Sequence, residues 1–302
     1  MRKASIDIGT NSFLLLIGEL DEQAQFRELF DYSKVVKLGK DLYKNDKSTI
    51  TVEALERAEA CFKYFKEKLL EYKVEEAQAV ATSAARDASN SNALISLGKK
   101  YDIPIAVIDG KREAELSYSG AFKEESSGLS LVVDLGGGST EFLYRDDSEI
   151  YSKSIDIGVV RLTDSFVSEF PTSQRDRDAA KAYVVDSLKE LTLSKPFDRI
   201  VAVAGTPTCI TSVIKGLNEF DKNQIDGFQL TKSDLDKYEI KLSELSLAAR
   251  SELPGMQTGR EDVLAMGCLI LSEILNFLGK DSYEVSTRGV RYGLLAELFL
   301  KS

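Results

Sequence analysis

Apolar residues in this chain fall into short runs that stop at glycine- and hydroxyl-rich turns, interleaved with longer stretches of helical period. Residues 3–7 and 12–18 read as strands flanking Asp7-Ile8-Gly9-Thr10-Asn11-Ser12, and residues 25–31 as a third strand. A loop rich in lysine and aspartate is expected over 33–50. Thr51 or its neighbour then starts a helix with Leu55, Ala58, Phe62, Phe65 and Leu69 on one face. A strand at 77–81 ends on Thr82-Ser83-Ala84-Ala85-Arg86. It leads into a helix to about Tyr101, a strand over Pro104–Ile108, a turn at Asp109-Gly110 and a helix from Lys111 to about Lys123. Glu124–Gly128 is a polar break.

The second half repeats this order. Leu129–Asp134 is a strand, Gly136-Gly137-Gly138 a tight turn, and Glu141–Tyr144 and 149–155 are strands. Helices are expected near 159–169 and 173–192. Ile200–Ala204 is a strand that ends at Gly205-Thr206-Pro207-Thr208, with a helix to about Lys215. Further helices fall near 232–250 and 260–278, a short strand at Tyr283–Val285, and a closing helix at 288–301. Two β-rich halves with one plan predict an α/β protein of two related domains. These are residues 1–124, on which the helix at 288–302 packs, and residues 125–302. Ligands of α/β domains sit at the carboxyl ends of strands. All four turns lie there, so they are expected to converge on an interdomain cleft.

The turns also share a chemistry. Successive N–H groups in a glycine turn form a concave anion site, and the helix starts after Thr82 and Thr206 add positive dipole ends. Gly9, Thr10, Asn11, Ser12, Thr82, Ser83, Gly136, Gly137, Gly138, Ser139, Thr140, Gly205 and Thr206 are therefore candidate phosphate-binding residues. One such turn is equally an ordinary hairpin tip; four at matching positions point to a ligand with more than one phosphate. Asp7, Asp134 and Glu141 are candidates to organise a metal ion or a water, Asp7 being also a plain strand-end cap. Arg86 has the fork geometry for phosphate, or is a surface arginine at a helix start. Glu113 opens a helix after a strand, where an acid is common for dipole reasons alone.

Composition narrows the chemistry. The 302 residues include no histidine, which removes Ser-His-Asp triads, Cys-His pairs and histidine metal sites. Base work falls to a carboxylate, Lys, Tyr or Cys, and metal binding to oxygen ligands that suit Mg²⁺, Mn²⁺ or Ca²⁺. A net charge of −10 disfavours DNA or other non-specific nucleic-acid binding. No apolar run is long enough to span a membrane, and no signal peptide is evident. Three cysteines, odd in number and far apart, fit reduced thiols in a cytoplasmic protein.

With these residues in place, the sequence resembles the exopolyphosphatase / guanosine pentaphosphate phosphatase family. That family belongs to the actin, sugar kinase and heat-shock ATPase superfamily of paired ribonuclease H-like domains. The resemblance runs from Asp7 to about Leu295. It is carried by Asp7–Ser12, Thr82–Arg86, Gly110–Gly120, Asp134–Glu141, Gly158-Val159-Val160-Arg161-Leu162, Gly205-Thr206, Pro254-Gly255 with Arg260, and Arg288–Gly293. It implies Glu113 as general base, Arg86 as a phosphate contact, and Asp134 and Glu141 as supports for catalysis and Mg²⁺, with Mn²⁺ as the alternative ion. Arg288 or Arg291 is a further candidate from the second domain, each equally suited to a structural ion pair. Two departures stand out. Leu14 occupies a position where many relatives carry a basic or polar residue. The histidine-containing C-terminal helical domain of long relatives is not expected here, so the chain resembles the short two-domain members.

The expected activity is Mg²⁺-dependent release of orthophosphate from inorganic polyphosphate or from the 5′ end of guanosine pentaphosphate. The rivals are a low-turnover regulator that binds guanosine tetraphosphate and a kinase-like phosphotransferase. The two halves are expected to open and close about Glu124–Gly128. The apolar positions Leu294, Leu295, Leu298, Phe299 and Leu300 of the closing helix either support a homodimer or pack on the first domain.

Overall fold

The computed structural model of the chain describes every residue except 22, 24, 45–47, 123–127, 147–148, 194–195 and 302, with backbone alone for 146, 149 and 150. The expected hinge at Glu124–Gly128 lies, apart from Gly128, outside the described residues. The chain divides into two compact units, Met1–Gly120 with Arg288–Ser302, and Ala121–Thr287.

In unit one, β1 (Arg2–Ile8), β2 (Ser12–Leu20) and β3 (Phe26–Val35) form an antiparallel meander. Helix α1 (Val52–Glu71) leads to β4 (Glu76–Ala81), parallel to β1. Helices α2 (Ser83–Asp87) and α3 (Ser91–Lys100) precede β5 (Ile105–Val107), parallel to β4. Helix α4 (Gly110–Ala121) follows. The sheet order is β3-β2-β1-β4-β5. Alternation along β1 sends Ala4, Ile6 and Ile8 to one face, where they meet Phe13, Leu15, Phe62 and Phe65. The helix face expected on α1 is buried there, except that Leu55 is half-buried. Thr51 caps α1 by accepting from Ala54 N.

Unit two uses the same plan. β6 (Ser130–Leu135), β7 (Thr140–Asp146) and β8 (Glu149–Ile155) form the meander, followed by α5 (Val159–Phe166) and α6 (Gln174–Leu188). β9 (Arg199–Val203) runs parallel to β6 and leads into α7 (Gly205–Lys215) and α8 (Lys222–Ile225). β10 (Gln229–Thr231), α9 (Lys232–Ser243), α10 (Leu247–Ser251) and α11 (Leu264–Leu278) precede β11 (Ser282–Val285), which lies parallel to β9. The order β10-β11-β9-β6-β7-β8 repeats that of unit one, with β10 as an added antiparallel edge. The two related α/β domains read from the repeat are therefore observed, in the plan that the resemblance implies. Helix α11 is predominantly apolar, and every residue from Leu264 to Leu275 is buried, Glu273 with an ion pair to Lys181.

The last helix, α12 (Val290–Leu300), belongs to unit one. Leu295 and Leu298 pack with Leu16, and Leu294 and Val290 with Val80 and Leu116, covering the second face of the sheet. The buried Lys3 ammonium donates to Leu298 O at 2.6 Å, and Ser5 Oγ to Arg291 O at 2.6 Å. Arg291 makes two 3.0 Å bonds to Asp31. Arg288 donates to Gly120 O and stacks on Tyr292 at 4.0 Å. Both arginines are thus engaged inside unit one rather than carried by the second domain. Leu294, Leu295 and Leu298 are used in its core, while Leu300 is 85% exposed.

Several element boundaries differ from the sequence pattern. Strand β3 continues through residues 33–35, expected as loop, because Val35 pairs with Ser12. The helix expected up to Tyr101 breaks after Asp87: Ala88 turns extended, and Asn90 exchanges two 2.9 Å bonds with the Ile50 backbone. The helix expected over 232–250 divides because Ser246 recaps the chain, accepting from Ala249 N. Helix α11 starts at Leu264 rather than 260, and α6 stops at Leu188.

Helices α4 and α12 cross on glycine. A Cβ at Gly293 would lie 2.0 Å from Leu116 O, and one at Gly120 2.1 Å from Gly289 O. Gly293→Ala is expected to destabilise the protein by about 1–3 kcal/mol, since backbone must move to admit the methyl group. Urea unfolding followed by circular dichroism checks this.

Candidate functional site

In unit one the turn after β1 is closed by Gly9 N–H donating to Ser12 O at 3.0 Å. The following segment holds its carbonyls. Val36 and Lys37 N–H donate to Asn11 O at 2.9 and 2.8 Å, and Gly39 N–H to Thr10 O at 2.8 Å. The N–H of a peptide unit points opposite to its C=O, so a turn held by its carbonyls presents its N–H edge on the other side. Thr10 Oγ1 accepts from Ala84 N at 3.2 Å, tying this turn to the one after β4. Asn11 is 6% exposed, and its Nδ2 finds no partner among the described residues. An orphaned buried donor costs about 1–3 kcal/mol, which an anionic oxygen would relieve.

Thr82 and Ser83 are buried at the end of β4. Tyr43 OH lies 3.3 Å from Ser83 Oγ and 3.2 Å from Asp87 Oδ2. Arg86, in α2, donates from Nη1 to Glu113 Oε2 at 2.7 Å and to Ile108 O at 2.9 Å. Glu113 sits in the first turn of α4 and is 7% exposed. Asp7 is half-buried, stands opposite Leu14 and Val80 in the sheet, and acts electrostatically on Arg291.

Unit two repeats the turn. Gly136 N–H donates to Ser139 O at 3.0 Å, and the carbonyls are again held by the segment behind: Gly136 O by Val159 N–H, Gly137 O by Val160 and Arg161 N–H, and Gly138 O by Arg161 Nε at 2.7 Å. Gly158 allows this contact, since a Cβ there would lie 2.4 Å from Gly137 O. Thr140 Oγ1 donates to Ile157 O. Asp134 and Glu141 stand directly opposite each other on β6 and β7 and are 6% and 0% exposed. Ser154 Oγ donates to Glu141 Oε1 at 2.7 Å. The equivalent of Glu141 in unit one is Leu14, so only unit two keeps the acid pair.

Gly205 opens α7, and Thr206 is 2% exposed in its first turn. Ala204, just before, has φ +82°, a strained conformation for alanine. A Cβ at Gly205 would lie 2.0 Å from Arg260 Nη2. Burial pulls the Arg260 pKa below the usual arginine range, and Gln257 Oε1 accepts from its Nε at 2.7 Å. Arg260 was legible in the sequence only as part of the Pro254–Arg260 resemblance, with no role attached. The residue 36–39 brace carries no motif and emerges only from the structure.

Among the described residues no group of three or more His, Cys, Asp or Glu could hold a metal ion. Asp7 lies in unit one, and Asp134 and Glu141 in unit two. Two adjacent carboxylates do not make a protein-only cage. They do fit Mg²⁺, which commonly takes one or two carboxylates and completes its shell with water and substrate phosphates.

The comparisons with known proteins agree with this fold. A model of the Ppx/GppA phosphatase family matches residues 16–302. The chain belongs to the Ppx/GppA phosphatase family. It is 31% identical to Exopolyphosphatase 2 of Mycobacterium tuberculosis over 98% of both chains. It is 35% identical to the bifunctional 3-dehydroquinate synthase/phosphatase of Fusobacterium nucleatum over 98% of this chain, but spans 46% of that protein. Among solved structures, an exopolyphosphatase-like protein superposes with a TM-score of 0.92 at 29% identity, covering 100% of this chain and 99% of its own. Among the described residues no helix is long and apolar enough to cross a membrane.

Gly158→Ala should push the glycine turn off its brace. Affinity for tripolyphosphate is expected to fall roughly tenfold to a hundredfold with the far-ultraviolet spectrum unchanged. Isothermal calorimetry measures it.

Proposed function

We propose that the protein hydrolyses the terminal phosphoanhydride bond of inorganic polyphosphate, releasing orthophosphate, with the 5′ end of guanosine pentaphosphate as a competing substrate. The observation that carries this reading is Glu113, a nearly buried carboxylate fixed by Arg86, in the same unit as a turn that holds the orphaned donor Asn11 Nδ2. The similarity to Exopolyphosphatase 2 along its whole length supports the polyphosphate assignment. The low-turnover regulator and kinase-like readings gain no support from these relatives.

In this mechanism Glu113 orients a water and accepts its proton as the water attacks the terminal phosphorus. The N–H edge of the Gly9–Ser12 turn, with Asn11 Nδ2, holds phosphoryl oxygens as charge accumulates on them, and the matching Gly136–Ser139 turn of unit two offers donors of the same kind. Thr82, Ser83 and the α7 start at Gly205-Thr206 offer further donors. Asp134 and Glu141 would hold Mg²⁺, or Mn²⁺ in its place. The ion, when bound, supplies neutralisation of phosphoryl charge. Asp7 serves as strand-end acid beside Arg291.

Glu113→Gln is expected to lower turnover at least about a hundredfold while tripolyphosphate binding is kept. Phosphate release at saturating substrate, with calorimetry beside it, measures both; wild-type turnover in this variant would remove the assignment. Excess chelator should suppress release from wild type, and Asp134→Asn should raise the Mg²⁺ concentration needed for half-maximal release. A magnesium titration followed by phosphate assay reads that.

A further inference from the structure

The resemblance places Arg86 on substrate phosphate. The structure gives its guanidinium different work. Nη1 donates at once to Glu113 Oε2 at 2.7 Å and to Ile108 O at 2.9 Å. Those acceptors lie on either side of the β5–α4 junction. Ile108 precedes the junction, and Glu113 is in the first turn of α4, its N–H bonded to Asp109 O at 3.0 Å. Asp109 Oδ1 in turn accepts from Arg112 N at 2.7 Å, which sets the start of the helix. Ile108 N–H donates to Ala81 O at 3.0 Å, and Ala81 is the last residue of β4, five residues before Arg86. The bonds therefore close a circuit: Ala81 to Ile108, Ile108 to Arg86, and Arg86 along α2 back to β4. Glu113 hangs from this circuit by its carboxylate.

Burial gives the pairing its weight. The Glu113 side chain is 9% exposed and that of Arg86 21%. A carboxylate withdrawn this far from water needs a partner at contact distance, and its direction is set by the geometry of the donor. On a flexible two-carbon arm the carboxylate of a glutamate has many rotamers; one fixed nitrogen that also grips the backbone at Ile108 selects among them.

We propose that Arg86 is a positioning residue that aims and charge-balances Glu113, acting on the reaction through that carboxylate rather than by holding phosphate. The inference rests on the hydrolase reading above and on Glu113 as its base. It predicts a particular split in kinetics. A phosphate clamp is felt in substrate affinity and is independent of Glu113. A positioning residue is felt in turnover and has nothing left to act on once Glu113 is gone.

The test is a double-mutant cycle of Arg86→Gln and Glu113→Gln in the full chain, with Arg86→Lys alongside and thermal melts to confirm folding. Short-chain polyphosphate hydrolysis gives kcat and KM, and calorimetry gives tripolyphosphate affinity. Arg86→Gln is expected to lower kcat about tenfold or more while KM and affinity stay within about threefold. In the Glu113→Gln background it should cost less than about threefold in kcat. Arg86→Lys, which keeps the charge but not the fork, should recover part of the loss. Should Arg86→Gln not fold, the double variant, which leaves no unpaired buried charge, gives the affinity comparison with Glu113→Gln. A tenfold or greater loss of affinity, additive with Glu113→Gln, would overturn the proposal and make Arg86 a phosphate contact. A fully active Glu113→Gln overturns the base assignment and the proposal with it. A wild-type chain that releases no phosphate overturns the hydrolase reading and the proposal with it, whereas an active wild type whose affinity collapses in Arg86→Gln overturns the proposal alone.

Discussion

Both units depend on one small constraint, a strand that must turn back within four residues and close on itself. The bond from Gly9 N–H to Ser12 O, and its twin from Gly136 N–H to Ser139 O, bring the chain from β1 to β2 and from β6 to β7 with identical spacing. A side chain at either first position would crowd the acceptor, at 3.0 Å for Gly9 and 3.1 Å for Gly136. The rest follows from what holds the turn from behind. In unit one an irregular segment, residues 36–39, donates to its carbonyls; in unit two the start of α5 does so. Different sequences solve the same problem, which is to anchor the oxygen side of a turn so that its N–H side is held in place. Preorganised donors of this kind need not reorganise when charge develops, and that is where most of their value lies.

The acids are distributed less evenly. Asp134 and Glu141 face each other across β6 and β7, an arrangement that repels unless a cation or a hydrogen bond offsets it. Ser154 supplies one such bond. At the matching place in unit one, Asp7 faces Leu14 and lies near Arg291. Duplication of the scaffold has not duplicated the chemistry. One unit holds a facing pair of carboxylates suited to a hard cation; the other holds Asp7 opposite an apolar residue and, apart from it, Glu113 in the first turn of α4.

The strand-turn repeat was legible because its signals are local: an apolar run, an acid, glycine and hydroxyls at fixed spacing. Helix α1 was legible for the same reason, through its one-sided period and the Thr51 cap. What the chain hid was tertiary. The break at Ala88–Asn90 exists because Asn90 bonds to Ile50 some forty residues earlier, and β3 runs on to Val35 because Ser12 is there to pair with it. The link between Arg86 and Glu113 spans 27 residues and carries no periodic trace. Arg260 beside Gly205 is likewise a meeting of distant segments, visible only once the helices are packed.

Unit one is discontinuous in the chain, and this bears on how it is made. Its sheet is covered on one face by α12, through Leu294, Leu295 and Leu298. Yet unit two, residues 121–287, lies between that helix and the rest of the unit. At ordinary rates of synthesis the ribosome takes roughly ten to thirty seconds to cross such a stretch. Throughout that time Leu16, Val80 and Leu116 present a bare apolar surface on the nascent chain. The unit that starts first therefore finishes last, and that surface needs shelter until α12 has been made.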